Sequence, residues 1–226
     1  MTHSVEDIHV VTWPEAIRRR PAMYVGDVSS HLGLIFLTRG LLDVPLDPTS
    51  ILISLTGTTL RIDGASVPPS TLPEAPGEPP FLIRICTSFG RKLGPQPTVA
   101  GVDALDTTVE PAVFRRLDLA PACLAIANAL SSEFMMASRS AGCETRVGFA
   151  RGVEVLPLES VPTLLPDGLG IAFTPDPEIF RDPRFHFELL AGAAREIALL
   201  RNARVELRDL GTGVFFLSEP ASVVVG

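Results

Sequence analysis

The chain is 226 residues long and carries 26 acidic against 19 basic side chains, a formal net charge of −7, with 46% apolar residues, 18 Gly and 21 Pro. That apolar share builds a packed core and excludes disorder and collagen-like repeats, and the length fits one domain or at most one and a half. The acidic balance, with Lys92 as the single lysine, excludes a general nucleic-acid surface and any phosphate loop of the Gly-Lys-Ser/Thr type.

Residues 1–12 read as an N-terminal arm with neither a basic stretch nor an apolar one, so no secretory signal is expected. From Trp13 to Pro21 the sequence predicts one or two helical turns, because Pro14 suits a first helical position and Pro21 blocks continuation. Leu34, Leu37, Leu41 and Leu42 recur at helical spacing, which predicts a helix over 34–43 ended by Pro45 and Pro48. Two β-rich runs at 51–55 and 58–62 flank Gly57 and predict a hairpin. The Pro-rich stretch 64–80 has no periodicity and reads as a loop, while 81–88 fits strand or helix equally well.

Residues 94–111 again read as loop, and 120–137 as one long apolar helix with Pro121 near its start. A second hairpin is expected from 144–150 and 153–156 around Arg151-Gly152, followed by a strand at 170–174. An amphipathic helix over 185–202 places Leu189, Leu190, Ala193, Ala194, Ile197 and Leu200 along one side. Strands at 204–208 and 214–217 precede a tail at 220–226, so one domain is expected from 13 to 219. This order predicts an α+β fold: a mixed, mostly antiparallel sheet with helices on one face.

Cys86, Cys123 and Cys143 match no zinc spacing and lie in apolar stretches, where free thiols act as small buried hydrophobes. No apolar run reaches the ~18 residues of a membrane span. A reduced, cytoplasmic protein is expected. His3, His9, His31 and His186 are scattered without a Ser or Cys partner in an elbow-like turn, which leaves a catalytic triad unsupported. Arg18, Arg19 and Arg20 form the one basic cluster and read as a solvated helix face, and Phe134-Met135-Met136 reads as a core edge.

The segment Glu15-Ala-Ile-Arg-Arg-Arg-Pro-Ala-Met-Tyr-Val-Gly-Asp27 resembles the opening of the ATPase domain of the DNA gyrase B family, which reads Glu-Ala-Val-Arg-Lys-Arg-Pro-Gly-Met-Tyr-Ile-Gly-Asp. The likeness runs ungapped through Gly33-Leu34 and on to Asp63-Gly64 and Val67-Pro68. It returns at Asn128-Ala-Leu-Ser131 and runs weakly to Val205-Glu-Leu-Arg-Asp209, about the span of one such ATPase domain. The resemblance implies the GHKL, or Bergerat, two-layer sandwich.

It also implies a site: a carboxylate that activates water, an Asn oxygen on Mg²⁺, an Asp that accepts the adenine amino group, and a Gly-rich lid over the phosphates. In this chain Gly40 stands at the base position, Val44 at the Mg²⁺-binding Asn, Pro48 at a later acidic position and Ile62 at the adenine-binding Asp. The lid becomes Asp118-Leu-Ala-Pro-Ala-Cys123, without a glycine. No glutamate lies between Asp27 and Glu74, so no shift of register restores the base. Asp43, Val44, Ile62, Asp63, Gly64, Ala65 and Asn128 then outline a degenerate pocket, with Asp63 read as serving an Asp-Gly turn.

The expectation is therefore a domain with no catalytic residues and no metal, cofactor or direct nucleic-acid partner. It acts through protein contacts, paired with itself as a homodimer or with a gyrase or topoisomerase subunit. The alternative is a gyrase-B-type domain that still binds or hydrolyses ATP weakly, or senses nucleotide. A third reading makes Val44, Ile62 and Ala65 an apolar pocket for a small molecule. The nucleotide pocket is expected to be filled by the chain's own side chains, with the 64–80 stretch rerouted around it.

Overall fold

The computed structural model describes residues 11–44, 48–66, 68–73, 76–87 and 122–220. In chain order the elements are α1 (Trp13–Arg19), α2 (Ala22–Val25), α3 (Leu32–Leu42), β1 (Ser50–Thr56), β2 (Thr59–Ala65), α4 (Phe81–Thr87) and α5 (122–130). They continue with β3 (Ser131–Ser140), β4 (Cys143–Ala150), β5 (Val153–Pro162), β6 (Gly168–Pro175), α6 (Phe187–Arg201), β7 (Arg204–Asp209) and β8 (Phe215–Ser218). The strands form one sheet in the order β5-β4-β3-β6-β2-β1-β7-β8, and only the β1–β7 pair is parallel. This is the α+β sandwich expected from the sequence, with a mixed, mostly antiparallel sheet.

Strand alternation separates two faces. Ile51, Ile53 and Leu55 on β1, Leu60 and Ile62 on β2, Leu169, Ile171 and Phe173 on β6, and Phe134 and Met136 on β3 are all buried in the core. Leu34, Leu37, Leu41 and Leu42 of α3 join the same core, with Leu124 and Leu130 of α5 and Leu190, Ala194 and Ile197 of α6. The opposite face carries Arg61, Asp63, Gly170, Ala137 and Arg139, which are register neighbours across β2, β6 and β3. Two-residue turns join β3 to β4 and β4 to β5. Ala141-Gly142 and Arg151-Gly152 both place two consecutive residues at positive φ, the primed-turn geometry that matches strand twist.

Ahead of α3, the Asp27 carboxylate accepts the Ser29 N–H and both the Ser29 and Ser30 hydroxyls, bonds that lower its pKa to about 2. A Cβ at Gly33 would come within 2.7 Å of the Asp27 carbonyl oxygen, so this turn requires the glycine. Among the described residues, no helix is long and apolar enough to cross a membrane.

Several expectations are corrected. The long helix over 120–137 ends at 130, and Ser131 opens β3 directly, its hydroxyl donating 2.5 Å to the Ala127 carbonyl. Positions 123–130 are buried on every side, so no apolar stripe marks the helix end. Pairing of β3 with both β4 and β6 then overrides the helical preference of Glu-Phe-Met-Met-Ala. Residues 81–87 are helical, which decides the reading left open. Gly64 and Ala65 belong to β2 rather than to the loop.

On α6 the buried side comprises Leu190, Ala191, Ala193, Ala194, Ile197 and Ala198, while Leu189 and Leu200 are exposed. Small alanines let this helix lie close on β7, which turns the two leucines outward. The loop stretches at 94–111 and 221–226, and the arm up to residue 10, lie outside the described residues.

Candidate functional site

At the C-terminal turn of α3, Gly40 meets α5. A Cβ on Gly40 would overlap the Cys123 sulfur and approach the Cys123 Cβ to 3.0 Å. The place where the resemblance puts a general base is thus taken by a buried thiol. Burial, with the Asp43 charge adding to it, pushes the pKa of that thiol up to about 11, so it is neutral at physiological pH. Asp43 caps α3, and the Arg201 guanidinium holds both its carboxylate at 3.2 Å and its backbone carbonyl at 3.0 Å. Val44 packs half-buried against the core and offers no oxygen.

The residues present do not fit the Mg²⁺ that the resemblance implies. That ion takes oxygen ligands in near-octahedral array. Here the one carboxylate at the end of α3 is committed to an arginine, and among the described residues no group of three His, Cys, Asp or Glu could hold a metal ion.

On β2 the expected pocket residues separate. Ile62 is 1% exposed and pairs in register with Ile53 and Ile171 on the core face. Asp63 is not in a turn but in mid-strand on the opposite face, which corrects the Asp-Gly reading. Arg61 Nε and Nη2 bind its carboxylate at 2.7 and 3.0 Å, and Arg139 Nη1 binds it at 2.5 Å.

Arg139 is fully buried. Its Nε donates to the Pro166 carbonyl and its Nη2 to the Leu169 carbonyl. The guanidinium lies over Gly170, where a Cβ would stand 2.8 Å from Nη1. Glu144 lies 3.7 Å from Arg139 and 3.8 Å from Arg61, completing a charge cluster across the sheet.

Gly64 faces the core beside Leu169, whereas Ala65 pairs with Gly168 on the other face. Ile62 and Ala65 therefore point to opposite sides, and Val44, Ile62 and Ala65 do not line one apolar pocket. Asn128 is buried in α5, where its amide donates to the Cys86 carbonyl at 2.9 Å and its own carbonyl oxygen has no partner among the described residues. Ser138 donates to the Pro69 carbonyl at 2.6 Å, which ties the Pro-rich stretch to β3. The lid positions 118–121 and Val67 lie outside the described residues.

Two groups belong here that sequence reasoning overlooked. One is Arg201, whose only signal was a basic residue at the end of a helix. The other is Arg139, a lone arginine in an otherwise apolar run. Arg18 is also corrected: only Arg19 and Arg20 are solvated, while Arg18 donates to the Ala129 carbonyl and pairs with buried Asp176 at 2.8 Å.

The thiols divide as well. Cys86 is fully buried against Met136 with its pKa raised by burial, whereas Cys143 is exposed beside the β3–β4 turn. In the native protein at pH 8, iodoacetamide is expected to add to Cys143 alone, with Cys86 and Cys123 alkylated only after urea unfolding. Mass spectrometry reads the result, and rapid native labelling of Cys123 would contradict its packing on Gly40. Because the folded-state pKa of Cys123 is raised, its contribution to stability is intact below pH 9. That contribution is lost as pH rises toward 11, where the unfolded thiol ionises first.

No protein-family model matches the chain. It is 28% identical over 220 residues to the B subunit of the type 2 topoisomerase of Aquifex aeolicus, covering 92% of this chain and 25% of that protein. To the DNA gyrase B subunit of Thermus thermophilus it is 28% identical over 214 residues, covering 88% and 31% of the two chains. To that of Myxococcus xanthus it is 26% identical over 210 residues, covering 86% and 23%. The chain spans about a quarter to a third of the length of these relatives. Similarity along nearly the whole chain, together with the α+β sandwich, makes it a gyrase-B-like domain.

Proposed function

We propose that this gyrase-B-like domain is a pseudo-ATPase that works in the cytoplasm through protein contacts, paired with itself or with a type II topoisomerase subunit. The observation that carries this reading is the Cys123 sulfur packed onto Gly40, which fills the space a water-activating carboxylate would need. Hydrolysis of a triphosphate requires a group to orient or deprotonate water and a cation to offset the charge of the phosphates. At the matching positions stand a glycine, a valine and an isoleucine, while Asp43 and Asp63 are each neutralised by arginines. The paired arginines also supply the charge compensation that makes these carboxylates poor Mg²⁺ ligands.

Phosphate release from ATP and Mg²⁺ by the purified domain is expected to equal that of a mock preparation, with no heat of ATP binding in calorimetry. Turnover above the mock, abolished by Asp43→Asn, would support the alternative of a weak ATPase. The pairing part has its own test. The domain is mixed with the type II topoisomerase of its host and run on a sizing column, and separate elution of the two removes that part of the proposal.

A further inference from the structure

We infer that the cleft between α1 and the β4–β5 turn is a carboxylate-binding site for an extended acidic segment of a partner protein, and that Glu178 occupies it as an internal stand-in when no partner is bound. The cleft has a volume of about 440 Å³, with Pro14, Val153 and Ile179 as apolar wall and Arg18, Arg151 and the mutually paired Arg19 and Glu15 at its rim.

The two central guanidiniums are fixed from behind. Asp176, fully buried, pairs with Arg18 Nη2 at 2.8 Å and with Arg151 Nε at 2.9 Å. The left-handed conformation of Arg151, φ 54°, aims this side chain, and Gly152 beside it presses on Pro14 where any Cβ would overlap. Asp176 offsets one of the two positive charges. The second is offset by Glu178, whose two carboxylate oxygens are shared between Arg151 Nη2 at 2.8 Å and Arg18 Nη2 at 3.4 Å. A carboxylate gripped by two arginines is the arrangement in which proteins recognise an external carboxylate. Glu178 is 59% exposed, so it can leave, whereas buried Asp176 cannot. Its departure leaves one uncompensated positive charge facing an apolar wall.

The wall continues into the sheet edge. β5 ends the strand order, and Val153 and Val155 are 63% and 65% exposed on it. Among the described residues its main-chain groups on that side have no neighbouring strand, and they run to Pro157 before a donor is missing. An extended segment can pair with this edge and rest apolar side chains on the two valines while an acidic side chain enters the cleft. The choice of a protein segment over a small acid rests on the proposed protein-contact role. The ATP-turnover test does not touch this site, so the two readings fail separately.

The probe is a fluorescein-labelled Thr-Val-Glu-Val-Thr peptide, with its Glu→Gln analogue and free glutarate as comparison arms. Fluorescence anisotropy is read on the full chain, the Glu178→Gln variant and the Glu178→Gln/Arg151→Gln double variant. Removing the stand-in frees a fraction of sites that is otherwise closed, and an exposed pair of this type shifts affinity by roughly 1.5- to fivefold. The Glu peptide is therefore expected to bind Glu178→Gln that much more tightly than the unaltered chain, and to lose binding in the double variant. Val153→Asp, at an exposed position that carries no folding burden, should also weaken it.

Equal affinity for the unaltered chain and Glu178→Gln, equal binding of the Glu and Gln peptides, or absence of binding at millimolar peptide would each overturn the inference. Glutarate binding as tightly as the peptide would overturn the choice of a protein segment.

Discussion

Gly40→Glu, the substitution that writes a general base back into the sequence, is expected to cripple the fold and leave ATP hydrolysis at zero. An added side chain begins inside the Cys123 sulfur and 3.0 Å from the Cys123 Cβ. The sulfur could rotate away, but the Cβ is fixed by α5. Overpacking of a filled core costs about 1–3 kcal/mol. Gly40 is half-buried, and among the described residues the neighbouring Arg201 already serves Asp43, so a carboxylate held there without a partner adds about 1–3 kcal/mol more. Against this stands only the roughly 1 kcal/mol gained by removing glycine from a helix interior. The clash wins.

Urea unfolding followed by circular dichroism should show a loss of about 3 kcal/mol, a large part of the 5–15 kcal/mol of a typical domain. Adding Cys123→Gly should return the steric share of that loss without returning turnover, since Val44 and Ile62 remain. A Gly40→Glu protein as stable as the original would mean that the thiol does not fill this space.

The framework was legible because its elements carry their own punctuation. Pro14 and Pro21 bracket α1, and the Arg151-Gly152 pair marks a primed turn. Alternation in 51–55 and 58–62 set the hairpin to within three residues. Legibility failed where burial was complete. Between 123 and 136 apolar side chains meet the core from both a helix and a strand, so hydrophobic period distinguishes neither, and the switch at Ser131 follows from pairing with partners distant in the chain. The outward turn of Leu189 and Leu200 has the same origin, because the alanines that set the approach of α6 look weak on a hydropathy pattern.

At the site, the losses at Gly40, Val44 and Ile62 are visible in one dimension. What replaced them is not, because Cys123 lies 83 positions from Gly40 and Arg201 lies 158 from Asp43. The misplacement of Asp63 had a remedy in the sequence itself. Consecutive strand residues point to opposite faces, so Ile62 and Asp63 cannot share a pocket once β2 is carried past 62 to Ala65.

That alternation makes Asp63 the position where a structural role and a nucleotide role give opposite outcomes. Asp63→Ala is expected to destabilise the domain by about 3 kcal/mol while changing nothing measurable in nucleotide binding. The carboxylate is the charge partner of Arg139 at 2.5 Å, and Arg139 is fully enclosed with its other donors fixed on Pro166 and Leu169. Taking one member from a buried pair leaves the other charge uncompensated and typically costs about 3–5 kcal/mol. The lower end applies here because Glu144 stays 3.7 Å from the same guanidinium.

Asp63→Asn keeps an acceptor and should lose less. The double variant Asp63→Ala/Arg139→Met should recover much of the deficit, since replacing both partners by apolar groups removes the orphaned charge altogether. A Gly170→Ala variant probes the same enclosure from below, because its methyl group would stand 2.8 Å from Arg139 Nη1 and displace the guanidinium. The decisive measurement is the coupling energy of the Asp63–Arg139 cycle from denaturant midpoints. If Asp63→Ala fell within about 0.5 kcal/mol of the original protein, as substitutions on an open surface do, the arginine would not depend on it. The carboxylate facing away from the emptied pocket would then need another explanation.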